Sequence, residues 1–290
     1  MKRKSNCFII EKLKYTTVCY TPWVESVKLT IQEHYDKPEY NNTIILINCL
    51  PEFTETNVKI LSAYNKRIYY ILEHKTSNED YYNTWFKRDC DLFYPFAGKF
   101  NINEVWTMDY GSQVANELNK QFGIPIKYLP VRYTSLINKI PNISESVKTV
   151  DCCMVGLLQC PMRYDFYVTL ENRHDFSFKG ITQTDNLSSV IPELNSSRYI
   201  LDIPRRYDSL TQNQVRIFEL LCMGYTVITQ KFDVNLFPGL VYEYESYDDI
   251  VNIVNKNEYL HPTEAYKEMT YTDEAYKQYV NNLIQLQNGI

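Results

Sequence analysis

The chain is 290 residues long, carries a formal net charge of −5, and is 44% hydrophobic and 22% charged. A length above ~250 residues suits two medium domains better than one core, and the composition is that of a folded chain without a disordered tail. The negative balance argues against the broad basic surface that nucleic-acid binding uses, so no nucleic-acid partner is expected and an anionic ligand would have to be held locally.

From the amino end, MKRKSNCFII has a basic flank, but its apolar run breaks at Glu11 and Lys12, too soon for a signal peptide. Short β-type runs then alternate with helical patterns: TTVCY, TIILINC, RIYYIL, EVWTM and IKYLP are strands, with helices over Trp23 to Glu33 and Gly111 to Phe122. The segment Asn138 to Lys148, NKIPNISESVK, is polar and without period, as a linker is. The alternation restarts with the strands VDCCMVGL, FSFKG, RYILDI, YTVIT and LVYEY. Helices fall over Met162 to Asn172, Asn186 to Leu194, Gln212 to Met223 and Asp248 to Lys256. After Pro262 the chain reads as helix with no further strand. This order predicts two α/β domains with parallel sheets: an N-terminal domain over 1–137, a linker over 138–149, a second domain over 150–261, and C-terminal helices over 262–290 that cross back. A crevice between two such domains is the default ligand site.

The eight cysteines form no CxxC pair, and the four histidines have no ligand spacing, so neither structural zinc nor disulfides are expected. No run approaches the ~18 apolar residues of a membrane span. Together these predict a cytoplasmic protein without an integral membrane segment. The glycines never form GxG, which removes the dinucleotide fingerprint and the P-loop.

Three strand ends carry chemistry. The strand from Val150 ends at Gly156, where a ligand could approach the backbone, and Arg163 opens the next helix. FSFKGI ends at Gly180 and Ile181. RYILDIP leads into a loop with Arg205 and Arg206 and then into the helix QNQVRIFELLCMG. The start of that helix offers unpaired N–H groups and a favourable dipole to a phosphate. Gln212, Arg216 and Glu219 fall at i, i+4 and i+7 on one stripe. The stripe faces either a ligand or, in the plainer reading, solvent, with an internal pair between Arg216 and Glu219.

The order of these motifs over Val150 to Lys256 resembles the nucleotide-sugar-binding domain of GT-B fold glycosyltransferases, especially family 4-like and related short viral or bacterial enzymes. The resemblance implies two Rossmann-like α/β domains facing across a cleft. It implies a ribose-binding role for Glu219, which precedes Gly224 by the family's spacing. It also implies a diphosphate seat at Arg163 and over Arg206 to Asn213, including Thr211 and Gln212, and a base site beside Gly180 and Ile181. The donor would be a nucleotide-diphosphate sugar, with UDP preferred, and the acceptor a glycan or other hydroxyl; a viral enzyme would work in the host-cell cytoplasm. Thr211 stands where retaining family 4 enzymes carry a further Glu, which directs the expectation to an inverting displacement with a base on the acceptor side. Glu73, with His74 beside it, is the first candidate, and Asp109 the next, with a helix cap as its plainer role. Arg163, Arg206 and helix amides would stabilise the leaving group without a metal, and no cofactor is expected. Two alternatives stand: a non-catalytic relative that keeps the sugar-nucleotide pocket, and a metal-dependent GT-A enzyme using Asp89 and Asp91.

Overall fold

The computed structural model describes residues 7–10, 23–47, 55–72, 100–139, 147–156, 161–181, 187–204 and 212–288. The chain divides into two compact units, one of Met1–Tyr20 and Val27–Val131, the other of Thr21–Ser26 and Arg132–Ile290. Each is α/β and built on a five-stranded, wholly parallel sheet.

In the first unit the strands are β1 (Cys7–Ile10), β2 (Thr43–Ile47), β3 (Lys66–Ile71), β4 (Glu104–Thr107) and β5 (Ile126–Tyr128). The helices are α1 (Trp23–Tyr35, whose first residues to Ser26 group with the second unit), α2 (Glu55–Ser62) and α3 (Gln113–Phe122). The sheet runs in chain order, β1-β2-β3-β4-β5. All five residues of β2, TIILI, are buried, as a strand covered on both faces requires. Ile44, Leu46, Tyr69, Ile71 and Val105 pack with Leu61, Ala115 and Leu118 into one core. Tyr70 ties this sheet to the following loop by donating its hydroxyl to the Leu129 carbonyl at 2.6 Å. The expected strand TTVCY lies outside the described residues, and the strand at Cys7–Ile10 comes instead from the short apolar run CFII.

The second unit contains β6 (Val150–Val155), α4 (Pro161–Arg173), β7 (Phe178–Ile181), α5 (Leu187–Ser196), β8 (Ser197–Asp202), α6 (Gln214–Cys222), β9 (Thr226–Gln230), β10 (Tyr242–Tyr244), α7 (Tyr247–Lys256), α8 (Pro262–Thr270) and α9 (Asp273–Asn288). Its strand order is β10-β9-β8-β6-β7. The chain therefore goes one way from β6 to β7 and returns to the other side of β6 for β8 onward. Such a reversal opens a crevice at the carboxyl ends of the two strands beside it, the place where open parallel sheets take ligands. Helix α7 starts with a capping box, the Ser246 hydroxyl accepting from the Asp249 N–H while the Asp249 carboxylate accepts from the Ser246 N–H.

The division at Val131 and Arg132 has a physical basis in Arg132, which is 2% exposed. Its guanidinium donates from Nε to the Thr270 carbonyl at 2.9 Å, meets Asp273 at 3.0 Å and the Tyr271 carbonyl, and covers the Tyr276 ring. This holds α8 and α9 to the start of the unit. Arg132→Ala should lower stability by about 2–3 kcal/mol, since two carbonyls lose their donor; chemical denaturation that shows no shift in midpoint would contradict this role.

Candidate functional site

The carboxyl ends of β6 and β8 lie side by side, Met154 opposite Leu201. Arg163 is fixed between them. Its side chain is 6% exposed, and its Nε donates to the Ile203 carbonyl at 2.9 Å, just past β8. At the end of β6 the guanidinium passes over Gly156 so closely that a Cβ there would stand 3.1 Å from Nη1. Thus Gly156 and Arg163, separated in sequence, meet at the strand reversal. The Gly156 N–H is itself held by the Ile181 carbonyl at 3.0 Å.

The same edge receives α6. Asn213 caps it, its side-chain oxygen accepting the Arg216 N–H at 3.3 Å. Gln212 is fully buried, and its Oε1 accepts the Leu236 N–H at 2.8 Å, which secures the 231–241 segment against the start of the helix. Arg216 donates from Nη1 to Asp202 at 2.9 Å, and the Thr229 hydroxyl lies 3.4 Å from the other carboxylate oxygen. Asp202 ends β8 and Thr229 lies near the end of β9, so this ion pair, nine-tenths or more buried on both sides, joins helix to sheet. The plainer sequence reading, an exposed pair between Arg216 and Glu219, is corrected: the stripe is buried, and Arg216 reaches the sheet.

Glu219, one turn further along, is 0% exposed, and neither carboxylate oxygen has a hydrogen-bond partner among the described residues. Burial pushes its pKa up to about 8, and the Ser26 hydroxyl and then the Arg216 guanidinium offset part of that rise. Gln212 Nε2, on the same stripe, is also buried without a hydrogen-bond partner among the described residues. A neutral polar group buried in this way costs roughly 1–3 kcal/mol, and a cost of that kind is commonly met at sites that a ligand completes. Gly224, which carried the spacing argument, has φ +85 where the chain turns from α6 into β9, a left-handed conformation that glycine adopts without strain.

The other expected residues have local roles of their own or lie outside the described residues. Gly180 leaves space for a neighbour of its own: a Cβ there would stand 2.2 Å from the Tyr167 ring, so its missing side chain is filled by α4. Ile181 is half-buried at the end of β7. Asp109 is buried after β4, but the cap of α3 is Ser112, whose hydroxyl accepts the Ala115 N–H; Asp109 bonds through its backbone to the Thr107 side chain. Glu73, His74, Asp89, Asp91, Arg205, Arg206 and Thr211 lie outside the described residues. No three His, Cys, Asp or Glu side chains form a metal-holding group among the described residues, and no described helix is long and apolar enough to cross a membrane. Sequence reading missed Asp202 and Thr229, whose only signal was their place at the carboxyl ends of buried strands.

No family model matches the chain, and no curated protein matches it. Several solved structures align over most of its length. T4 phage BGT in complex with UDP and Mn2+ is 14% identical, with 98% of this chain and 97% of that one covered and a TM-score of 0.47. An α1,3-fucosyltransferase is 14% identical over 97% and 83%, TM-score 0.41. Anabaena HepE in complex with UDP-glucose is 10% identical over 91% and 82%, TM-score 0.40. At these identities no residue's role passes from them to this chain.

The raised Glu219 pKa has a stability consequence with a definite sign. Unfolded, the carboxyl titrates near 4.5; folded, near 8. The folded state therefore holds the extra proton between these values, so this group's contribution is complete below pH 4.5 and is lost as pH rises through 8. Glu219→Gln removes that titration. The stability of the variant relative to the parent should rise across this window by up to about 1.4 kcal/mol per pH unit and level off above it; a pH-independent difference in urea denaturation would refute the assignment.

Proposed function

We propose that the chain is a GT-B type glycosyltransferase that moves a sugar from a nucleotide-diphosphate donor, preferably a UDP-sugar, to an acceptor hydroxyl. The observation that carries the reading is Glu219: a fully buried carboxyl whose two oxygens have no hydrogen-bond partner among the described residues, on a helix that begins at the carboxyl edge of a parallel sheet. Two adjacent hydroxyls, as on a ribose, would supply the two donors that this carboxylate lacks. Arg163, held between the ends of β6 and β8, supports a diphosphate there, where the cation and the amino end of α6 favour the charge that develops on the leaving group. Arg216 acts differently, by fixing α6 through Asp202 so that Glu219 keeps its place.

In this reading the displacement is inverting, and the acceptor proton passes to a carboxylate, Glu73, with His74 as its neighbour. Glu73→Gln should abolish transfer while UDP-sugar binding persists. A fully active variant would exclude Glu73 as the base. The sequence resemblance and the chemistry of the second unit's strand edge support the donor half of this proposal more directly than the acceptor half.

Donor binding is tested by calorimetry with UDP-glucose and GDP-mannose. Glu219→Ala should weaken binding of the preferred sugar nucleotide roughly ten- to hundredfold, equivalent to about 1.5–3 kcal/mol for charge-assisted hydrogen bonds. Because the ionised carboxylate accepts both hydroxyls, parent affinity should increase from pH 6 to about 8 and then level off. Absence of binding to either compound would refute the proposal. Binding with no transfer or donor hydrolysis would identify a non-catalytic sugar-nucleotide binder.

A further inference from the structure

Tyr244 is the last residue of β10 and pairs in register with Gln230, so it stands at the same carboxyl edge as Gly156, Asp202 and Thr229. It is 1% exposed. Its ring packs against Phe166, with centroids 5.7 Å apart, and Phe166 is on α4 one turn after Arg163. The hydroxyl is buried with no hydrogen-bond partner among the described residues, yet it lies close enough to the Asp202 carboxylate and the Arg163 guanidinium to feel both charges.

Three other buried tyrosines of the second unit are different. The hydroxyls of Tyr199, Tyr225 and Tyr279 donate to the Glu258 carbonyl, the Asn195 side chain and the Leu236 carbonyl at 2.7, 2.7 and 2.9 Å. A phenol normally finds such a partner when its ring enters a core. At Tyr244 a phenylalanine would fill the same space without burying a donor, so the hydroxyl is unexplained by packing. Burial also holds the phenol protonated, which makes it a donor at any physiological pH. Asp202 is already engaged by Arg216 and Thr229, so the Tyr244 hydroxyl stands without a bond among the described residues at an edge that carries both that carboxylate and the Arg163 guanidinium.

We propose that Tyr244 is a further donor-positioning residue, its O–H hydrogen-bonding a phosphate oxygen of the bound nucleotide diphosphate beside Arg163. This rests on the sugar-nucleotide reading above and adds a residue to it. The bond assists in holding the diphosphate toward the β8 and β9 side of the strand reversal, across the edge from Gly156.

The test compares UDP with uridine, which shares the base and ribose but has no phosphate, on the parent and on Tyr244→Phe. UDP affinity should fall tenfold or more in the variant while uridine affinity, followed by NMR titration, stays unchanged. The melting temperature should stay the same or rise, because the variant removes a buried donor that has no partner. Equal UDP affinity in the two proteins would overturn the role of Tyr244 and leave the sugar-nucleotide reading intact. An equal loss for uridine and UDP would place the effect away from the phosphates and also overturn it. A lowered melting temperature would reveal a structural partner for the hydroxyl and would likewise overturn the role. Failure of the parent to bind UDP would remove both readings together.

Discussion

The buried pair between Arg216 and Asp202 is the contact on which the arrangement of the second unit's carboxyl edge depends. At 2.9 Å, with Thr229 near the second carboxylate oxygen, it fastens α6 to the ends of β8 and β9. Taking both charges out of water is costly, and the attraction repays this only with good geometry; removing one partner of such a pair typically costs about 3–5 kcal/mol. Packing of Val215, Ile217 and Phe218 would bury the helix in any case, but apolar contacts are non-directional. The ion pair sets which turn of the helix lies over which strand, and so determines where Glu219 and the capped amino end stand.

Around that anchor, polar side chains divide by whether the fold already employs them. Asn213 caps a helix, Gln212 holds the segment before β10 through Leu236, and Arg163 spans two strand ends. Their tasks explain their presence before any ligand is considered. Glu219 and Tyr244 have no such explanation, because their oxygens are buried without partners among the described residues. The distinction matters for interpreting substitutions. Loss of a committed residue would disturb the edge itself, whereas loss of an uncommitted one would alter what the edge can hold.

Much of the fold was legible in the sequence because covered parallel strands leave a plain signal. IILI, IYYI and CCMV are continuous apolar runs, and the helices between them carry the amphipathic spacing that buries one face. Gly156 at the end of β6 and the polar stripe of α6 were both legible as features of the second sheet's carboxyl edge. Partner choice was not legible. Arg216 and Glu219 are three residues apart and suit a helical ion pair, but the sequence does not state that the Asp202 carboxylate reaches the same guanidinium. Gly180 illustrates the same limit: a glycine at a strand end marks a close approach, and only the folded chain identifies the approaching group as Tyr167. Tyr244 carried no sequence signal at all, as one of 26 tyrosines in the chain.

The reversal of strand order has a consequence for how the two sheets assemble. In the first unit each described strand lies beside its predecessor, so pairing can follow chain order. In the second, β8 must leave β7 and insert on the opposite side of β6, and only then can β9 and β10 follow outward. The edge that gathers Arg163, Asp202 and Arg216 therefore exists only once β8 has paired with β6, and a nascent chain that ends before Asp202 has the first sheet's pairings within reach but none of the second unit's ion pair.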